Sequence, residues 1–573
     1  MSDGKNVALA PYRATTKGPS IEDQFRVKVT FEDQSKKDWS FDDLVAFDKE
    51  NRTNLREKAI SMTRDLQAGE DAALLLENGG WRKAIGVTLD ELIAGETYLK
   101  WLLFYSMCSS GLKDRRLHLL SLGDSQQGKS FTQEQVGFNL APDILIYASA
   151  MSAKAPYYEA AAKSDPHIYD HKVLLVDEFK NLSDSTKATI KAITSNGKQK
   201  ITNKTVDINR QYVEQTLEGM PVVWANSAEV FDDPENQISN RYLKINVDES
   251  QDQSRRIEQF QKDKEALGPF RQVRTTVPQA KAIASKIMEE KDFEVVNLFA
   301  YGLEQEGRRA RNVLPMFSTL VASIAYANRF HRPRIDLTDG RKVLFATLTD
   351  NEEAACIWAH YNGTQATGVA NRHIRVLSAM YEEEEYSVED AAAAYNIANP
   401  ERPISTKTCA DYLSELASKN LVISRRDDHS GRYLYSKMSS QLPKSSQLVI
   451  GRDYRAHPEI LDEALDALKK HASQFPNLKG AELGELRSQL IDSPSEHLIS
   501  LMLGCEQTGS PNSVGSDFVL LNTKVQGVKE LLSIEPLTLE QIEAMCPSLL
   551  STATAMKERG MLSENLAGEL CVR

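Results

Sequence analysis

The sequence predicts an α/β fold in which a parallel sheet, flanked by helices, is built around a phosphate-binding loop. Short apolar runs (LHLLSLG, DILIYAS, HKVLLVDE, MPVVWAN and YLKINVD) recur between Arg116 and Asn246. Apolar strands of this kind, separated by amphipathic stretches, indicate a sheet buried on both faces. The first run leads into Gly123-Asp124-Ser125-Gln126-Gln127-Gly128-Lys129-Ser130 and then into FTQEQVGFNLA, which can form a helix. Strand, GxxxxGK[ST] and helix, in that order, is the context a phosphate-binding loop requires.

Taken from the N-terminus, residues up to about 25 are polar and Gly/Pro-marked and read as a loose arm. A short strand and then helices follow to about residue 112, so 1–94 is expected to be mostly helical. TYLKWLLFYSMCSSGL (97–112) is its most apolar stretch and reads as a core helix. Residues 95–265 are assigned to the sheet domain and 266–340 to a helical lid. A strand-poor segment separates the lid from 372–438, which reads as three helices and two strands. SSQLPKSSQ (439–447) is a linker by composition. The remainder, 450–573, is expected to be helical, and EPLTLEQIEAMCPSLLSTATAMKERGMLSE resembles a small helix-turn-helix module.

Composition narrows the functional classes. A chain of 573 residues implies three or four domains. Hydrophobic content of 41% beside 26% charged residues is that of a folded globular protein. No apolar run approaches the length of a membrane span, and MSDGKNVALAPYR lacks the apolar core of a secretion signal. The six cysteines are scattered singly, which argues against a zinc ribbon or disulfide framework and for a reducing, cytoplasmic setting. With 69 basic and 81 acidic residues, the net charge of −12 excludes a non-specific polycation. Nucleic-acid contact must therefore come from local patches, with a nucleoid-associated location expected.

The loop residues specify the chemistry. Backbone N–H groups from Gly123 to Gly128, with the following helix N-terminus, would cradle the phosphates of ATP. Lys129 would neutralise the β- and γ-phosphates, and Ser130 would ligate Mg²⁺. Downstream, VLLVDE ends a strand on two carboxylates. Asp177 is expected to hold Mg²⁺ through water and Glu178 to polarise the attacking water. MPVVWANS ends in Asn226, a polar tip beside the carboxylate strand that can orient the water against the γ-phosphate.

The order of loop, carboxylate strand and Asn strand resembles the AAA+ ATPases, and further segments resemble the minichromosome maintenance (MCM) helicases among them. VLLVDEFKNLSDSTKATIKAITSNGKQKITNKTV looks like that family's Walker-B region, in which a helix leads into a hairpin before the sensor strand. QISNRYLKINVDESQDQSRR is similar to its arginine-finger segment, and ARNVLPMFSTLVASIAYANRF to its sensor-2 helix. The resemblance, over about residues 95–335, makes Arg241 a finger donated in trans to a neighbour's γ-phosphate. It makes Arg311 sensor 2, with Arg308 and Arg309 close enough to exchange with it. A trans finger implies a homo-oligomeric ring or filament, expected to be a hexamer. Three features depart from the family. GDSQQGKS has Gly where the family usually has Ala, no zinc ribbon or oligonucleotide-binding barrel precedes the ATPase, and the helix-2 insertion hairpin is reduced, to MSAKAPYYEAAAKSDP.

Two stretches are expected to meet DNA. KQKITNKTVDINRQYVEQTL (198–217) alternates polar and β-branched residues as an exposed hairpin does. Its Lys198, Lys200, Lys204 and Arg210 would track phosphates in a ring's channel, and Lys204 matches the family's hairpin lysine. Residues 372–438 follow a winged-helix pattern, the third helix capped by Ser405 or Thr406 and followed by two strands around a DDHSG turn. Lys407, Lys419, Arg425, Arg426 and Arg432 lie on that third helix and wing. The leading expectation is an ATP-hydrolysing replicative DNA helicase, of a mobile element, acting on single-stranded or forked DNA with replication proteins as partners and without membrane contact. An origin-recognition-type initiator on duplex DNA, or a winged-helix regulator using ATP as an assembly switch, are the alternatives.

Overall fold

The computed structural model describes residues 8–13, 25–30, 36–51, 55–122, 128–195, 200–206, 212–227, 241–247, 251–267, 276–305, 310–337, 339–367, 371–381, 384–400, 403–418, 421–426, 431–437, 448–450, 459–471, 480–492, 497–498, 501, 538–539, 541, 562–564 and 570–572. It divides into two compact units, one of residues 1–93, 138–142 and 261–289, the other of 94–137, 143–260 and 290–573. No helix among the described residues is long and apolar enough to cross a membrane.

The first unit opens with strands β1 (Ala8–Arg13), β2 (Phe25–Thr30) and β3 (Lys36–Trp39), antiparallel in the order β1-β2-β3. Along β2, Phe25, Val27 and Val29 are buried while Arg26 and Lys28 face outward, so one side of the sheet covers a core. The expected loose arm thus contributes a strand. Its Pro11 falls on edge strand β1, where a missing N–H is tolerated. Helix α1 (Phe41–Asn51) starts at a reciprocal cap. Asp43 N–H donates to Ser40 Oγ at 3.2 Å and Ser40 N–H to Asp43 Oδ2 at 2.8 Å. Helices α2 (Leu55–Glu77) and α3 (Trp81–Leu92) follow. The helix Val277–Glu289 packs on both through Ala280, Ile283, Ala284 and Ile287, an apolar stripe of helical period. The sequence assigned this helix to a lid; its stripe is buried in the N-terminal unit instead.

In the second unit, helix α4 (Thr97–Cys108) is buried on every side from Tyr98 to Cys108, as a sequence apolar all round but for Lys100 and Ser106 leads one to expect. The sheet beside it alternates strands and helices: β4 (His118–Leu122), α5 (Lys129–Leu140), β5 (Leu145–Ala148), α6 (Ala155–Lys163), β6 (Val173–Val176) and α7 (Asp184–Ile193). An antiparallel hairpin, β7 (Lys200–Val206) and β8 (Tyr212–Glu218), precedes β9 (Val222–Ser227) and β10 (Tyr242–Asn246). The five strands outside the hairpin are all parallel, in the order β10-β4-β9-β6-β5. Trp224 ties β9 to α4 by donating from Nε1 to Ser106 Oγ at 2.9 Å. His118 accepts the Val223 N–H at 3.1 Å, and burial pushes its imidazole down to about 3, so it stays neutral. The segment expected as a reduced insertion hairpin forms helix α6.

Where β8 leads into β9, the chain turns at Gly219 (φ +86°), and a Cβ there would stand 2.3 Å from Asp170 Cβ. Asp170 in turn accepts the Met220 N–H at 3.0 Å and pairs at 3.3 Å with the buried Arg116. Gly340 has the same left-handed backbone (φ +85°) with open space around it. Gly340→Ala is therefore expected to cost only the conformational penalty, about 1–2 kcal/mol. Gly219→Ala should cost clearly more, because it also displaces Asp170 from Arg116. Chemical-denaturation midpoints of the two variants check this, and equal losses would show that the Asp170 contact relaxes freely.

The remainder of the unit differs from the expected strand-poor segment. Phe293–Val296 pairs in parallel with Lys342–Phe345, which pairs antiparallel with Arg334–Asp336. After helix Leu348–Thr367 come helices Asn371–Ala379, Val388–Ala398 and Thr406–Ser418 and a sheet of Glu385–Tyr386, Tyr433–Lys437 and Val422–Arg426, in that order across it. Of the two candidate caps on the last helix, Ser405 accepts the Thr408 N–H at 3.1 Å. The chain then returns. Leu448–Ile450 pairs antiparallel with Leu303–Gln305. From helices Glu459–His471 and Gly480–Leu490, Leu461, Leu465, Leu486 and Leu490 share a core with Leu298, Phe299, Phe345 and Leu348. Asp492 accepts the Thr349 N–H at 3.0 Å and lies 3.3 Å from Arg332, and Tyr98 Oη donates to Leu501 O at 2.9 Å. The three-helix module is thus inserted into the unit, and the described part of 450–573 up to Leu501 completes that unit's core. The helix-turn-helix reading near the C-terminus falls almost wholly outside the described residues.

Candidate nucleotide site

Parallel strands bring their C-terminal ends to one edge. The register pairs Leu122 with Ser227 and Val176 with Ala225, so the tips of β4, β9 and β6 lie side by side. Gly123, Asp124, Ser125, Gln126 and Gln127 lie outside the described residues. The description resumes at Gly128, whose φ of +83° is one an L side chain rarely adopts and which turns the chain into α5. Thr132 N–H donates to Gly128 O at 2.9 Å, making that carbonyl the first acceptor of the helix.

Four of the expected residues meet at this edge. Lys129 is 7% exposed, and its ammonium donates to Ser227 O at 3.2 Å. Ser130 Oγ donates to Asp177 Oδ1 at 3.0 Å. Asn226 Nδ2 donates to Ser130 Oγ at 3.2 Å and reaches Asp177 Oδ1 at 3.5 Å. Asn226 is 2% exposed, and its Oδ1 has no hydrogen-bond partner, leaving a buried acceptor within the site. A hydroxyl and a carboxylate at hydrogen-bond distance, a buried ammonium and an open acceptor fit a nucleotide with Mg²⁺. The hydroxyl and carboxylate are hard oxygen ligands, the ammonium suits phosphate, and the acceptor can hold a water proton.

Glu178 adjoins them with a left-handed backbone (φ 48°, ψ 61°), at the start of the short 3-10 turn Phe179–Asn181. For a residue with a Cβ this conformation costs on the order of 1–2 kcal/mol. It turns the chain off β6 immediately after Asp177. The sequence reading passed over Ser227, whose carbonyl receives Lys129, and Gln133, whose Nε2 donates to Ser121 Oγ at 2.9 Å and fastens α5 to β4. Gln133 stands one turn after Lys129 (i, i+4), a spacing that points toward the sheet and is the only signal that marks it.

The remaining candidates are not gathered here. Arg241 Nη1 donates within the chain to Lys191 O at 2.7 Å and Ser195 Oγ at 2.5 Å, closing the C-terminal end of α7. The backbone of Arg311 opens helix Ala310–Ala327, while its side chain and all of Arg308 and Arg309 lie outside the described residues. So do Lys198 and Arg210. Lys200 lies 3.6 Å from Glu218, its partner across the hairpin, and Lys204 is opposite Glu214. On the inserted module, Arg425 pairs with Glu385 at 2.8 Å and Arg432 with Glu389 at 3.7 Å. Arg426 Nε donates to Gly431 O at 3.2 Å, and Lys407 is exposed near the start of its helix. Lys419 is not among the described residues.

A protein-family model described as the MTBMA_p00010 P-loop domain matches residues 65–290, from within α2 to just past the helix Val277–Glu289. The match includes every strand of the parallel sheet and all the residues that meet at its edge. The chain contains a P-loop domain. No curated protein matches it.

Proposed function

We propose that the chain is an ATP-hydrolysing AAA+ motor of the MCM-like type that forms a homo-oligomeric ring on DNA and acts in replication, as a helicase of a mobile element. The observation that carries this reading is the β7–β8 hairpin placed between α7 and β9, between the carboxylate and Asn strands. A hairpin at that point would project a motor's DNA-contacting element while the site behind it turns over ATP. Strand β9, seated between the loop strand and the carboxylate strand, supports the AAA+ assignment. The inserted helices and three-stranded sheet support a winged helix. In the site, Lys129 would hold the phosphates, and Ser130 and Asp177 would hold Mg²⁺, which would supply charge neutralisation on the phosphoryl oxygens. Glu178 would draw a proton from the attacking water, and Asn226 Oδ1 would fix that water's orientation.

One observation favours the initiator reading. In the described part of the hairpin, Lys200 and Lys204 stand opposite Glu218 and Glu214, which leaves that ladder without net charge for phosphate tracking. A forked duplex with a labelled strand separates the two readings. A helicase releases the strand with ATP and not with a non-hydrolysable analogue. An initiator binds the duplex portion and releases nothing under either condition.

A further inference from the structure

The hairpin register sorts its residues into two faces. One carries the rungs Ile201–Leu217, Asn203–Gln215 and Thr205–Val213. Leu217 and Gln215 are buried, Ile201 packs on the sheet's core, and Asn203 Nδ2 donates to Gln215 Oε1 at 3.0 Å. The opposite face carries Lys200–Glu218, Thr202–Thr216 and Lys204–Glu214, with Tyr212 at the last described rung of the ladder. Two lysines stand against two glutamates there, so the ladder offers a phosphate chain no net attraction. What it does offer is Tyr212, 63% exposed at the first position of β8, with its hydroxyl donating to Glu214 Oε2 at 3.3 Å. That bond lies on the face itself and steadies the ring at the outer end of the hairpin.

We infer that Tyr212 is a base-stacking platform, and that this hairpin grips single-stranded DNA by its bases rather than by phosphate charge. The inference rests on the motor reading and assigns its DNA contact to a residue other than the lysines. An exposed aromatic ring suits the task because every base has a π-face, so a stack is indifferent to sequence. Stacking also explains how a chain of net charge −12 could hold DNA at a ladder of balanced charge. The neighbouring Lys–Glu rungs then keep the shaft soluble and set its register.

The test uses the full chain with a non-hydrolysable ATP analogue and two labelled oligonucleotides of equal length and charge, one oligo-dT and one abasic. Tyr212→Ala is expected to weaken oligo-dT binding roughly tenfold or more while leaving the salt dependence unchanged, since no phosphate contact is lost. Tyr212→Phe should bind as wild type does, and the abasic strand should bind wild type and Tyr212→Ala alike. Equal binding of oligo-dT by wild type and Tyr212→Ala would overturn the inference and leave the motor reading standing. An equal loss on both strands would also overturn it, by showing a contact to the backbone. A wild-type chain that binds neither strand would remove the DNA reading itself, and the inference with it.

Discussion

Glu178→Gln is expected to bind ATP as tightly as wild type and to turn it over about 10²- to 10⁴-fold more slowly. The groups that would hold the nucleotide are elsewhere: Lys129 at Ser227 O, and Ser130 within 3.0 Å of Asp177. Gln preserves the shape of Glu178 and removes only its charge, at a position whose left-handed backbone both side chains meet alike. The site does lose a carboxylate able to draw a proton from water, and no other residue in the described site has that function, because Asp177 is engaged by Ser130. Nucleotide titration and steady-state phosphate release measure the two properties separately. Turnover within a few-fold of wild type would remove Glu178 from the base role and move the search to another carboxylate. Lys129→Ala is the complementary variant. It should fail at the earlier step, with nucleotide binding lost, since the remaining described loop residues, Gly128 and Ser130, carry no positive charge.

The sheet and site were legible for a common reason. Strands buried on both faces are largely apolar, Val173–Val176 throughout, and a polar residue at such a strand's end stands out. Asp177, Asn226 and the loop could therefore be read together before any register was known. Features that depend on distant partners were not legible. Pro11 and the lone stretch ALAPYR disguised β1, whose partner lies across more than ten intervening residues. The pairing of Leu303–Gln305 with Leu448–Ile450 spans the whole inserted module, so the module looked like an appendage. Lys200 and Lys204 looked like a basic patch because a one-dimensional reading shows the lysines and hides the glutamates opposite them. The exposure of Tyr212 at the end of that ladder likewise depends on the fold and leaves no mark in the sequence.

Arg241→Ala is expected to act twice. Within the chain the guanidinium donates to Lys191 O and Ser195 Oγ at the end of α7, and losing those bonds should cost about 1.5–3 kcal/mol of stability. If the same arginine serves a neighbour's γ-phosphate in the assembled ring, turnover should also fall by about 10³-fold or more, with nucleotide affinity nearly intact. The two effects separate under defined conditions. Arg241→Lys keeps a cation near the helix end but lacks the planar fork, so it should recover much of the stability and little of the turnover. Mixing Arg241→Ala with Lys129→Ala decides the trans assignment, because mixed interfaces can pair an intact Lys129 with an intact Arg241. Recovered phosphate release in the mixture, from two proteins each inactive alone, is the expected result. No recovery in oligomers shown to contain both proteins would confine Arg241 to the cap on α7, where its described hydrogen bonds lie. Arg311, in the helix Ala310–Ala327, would then be the next arginine to test for that role.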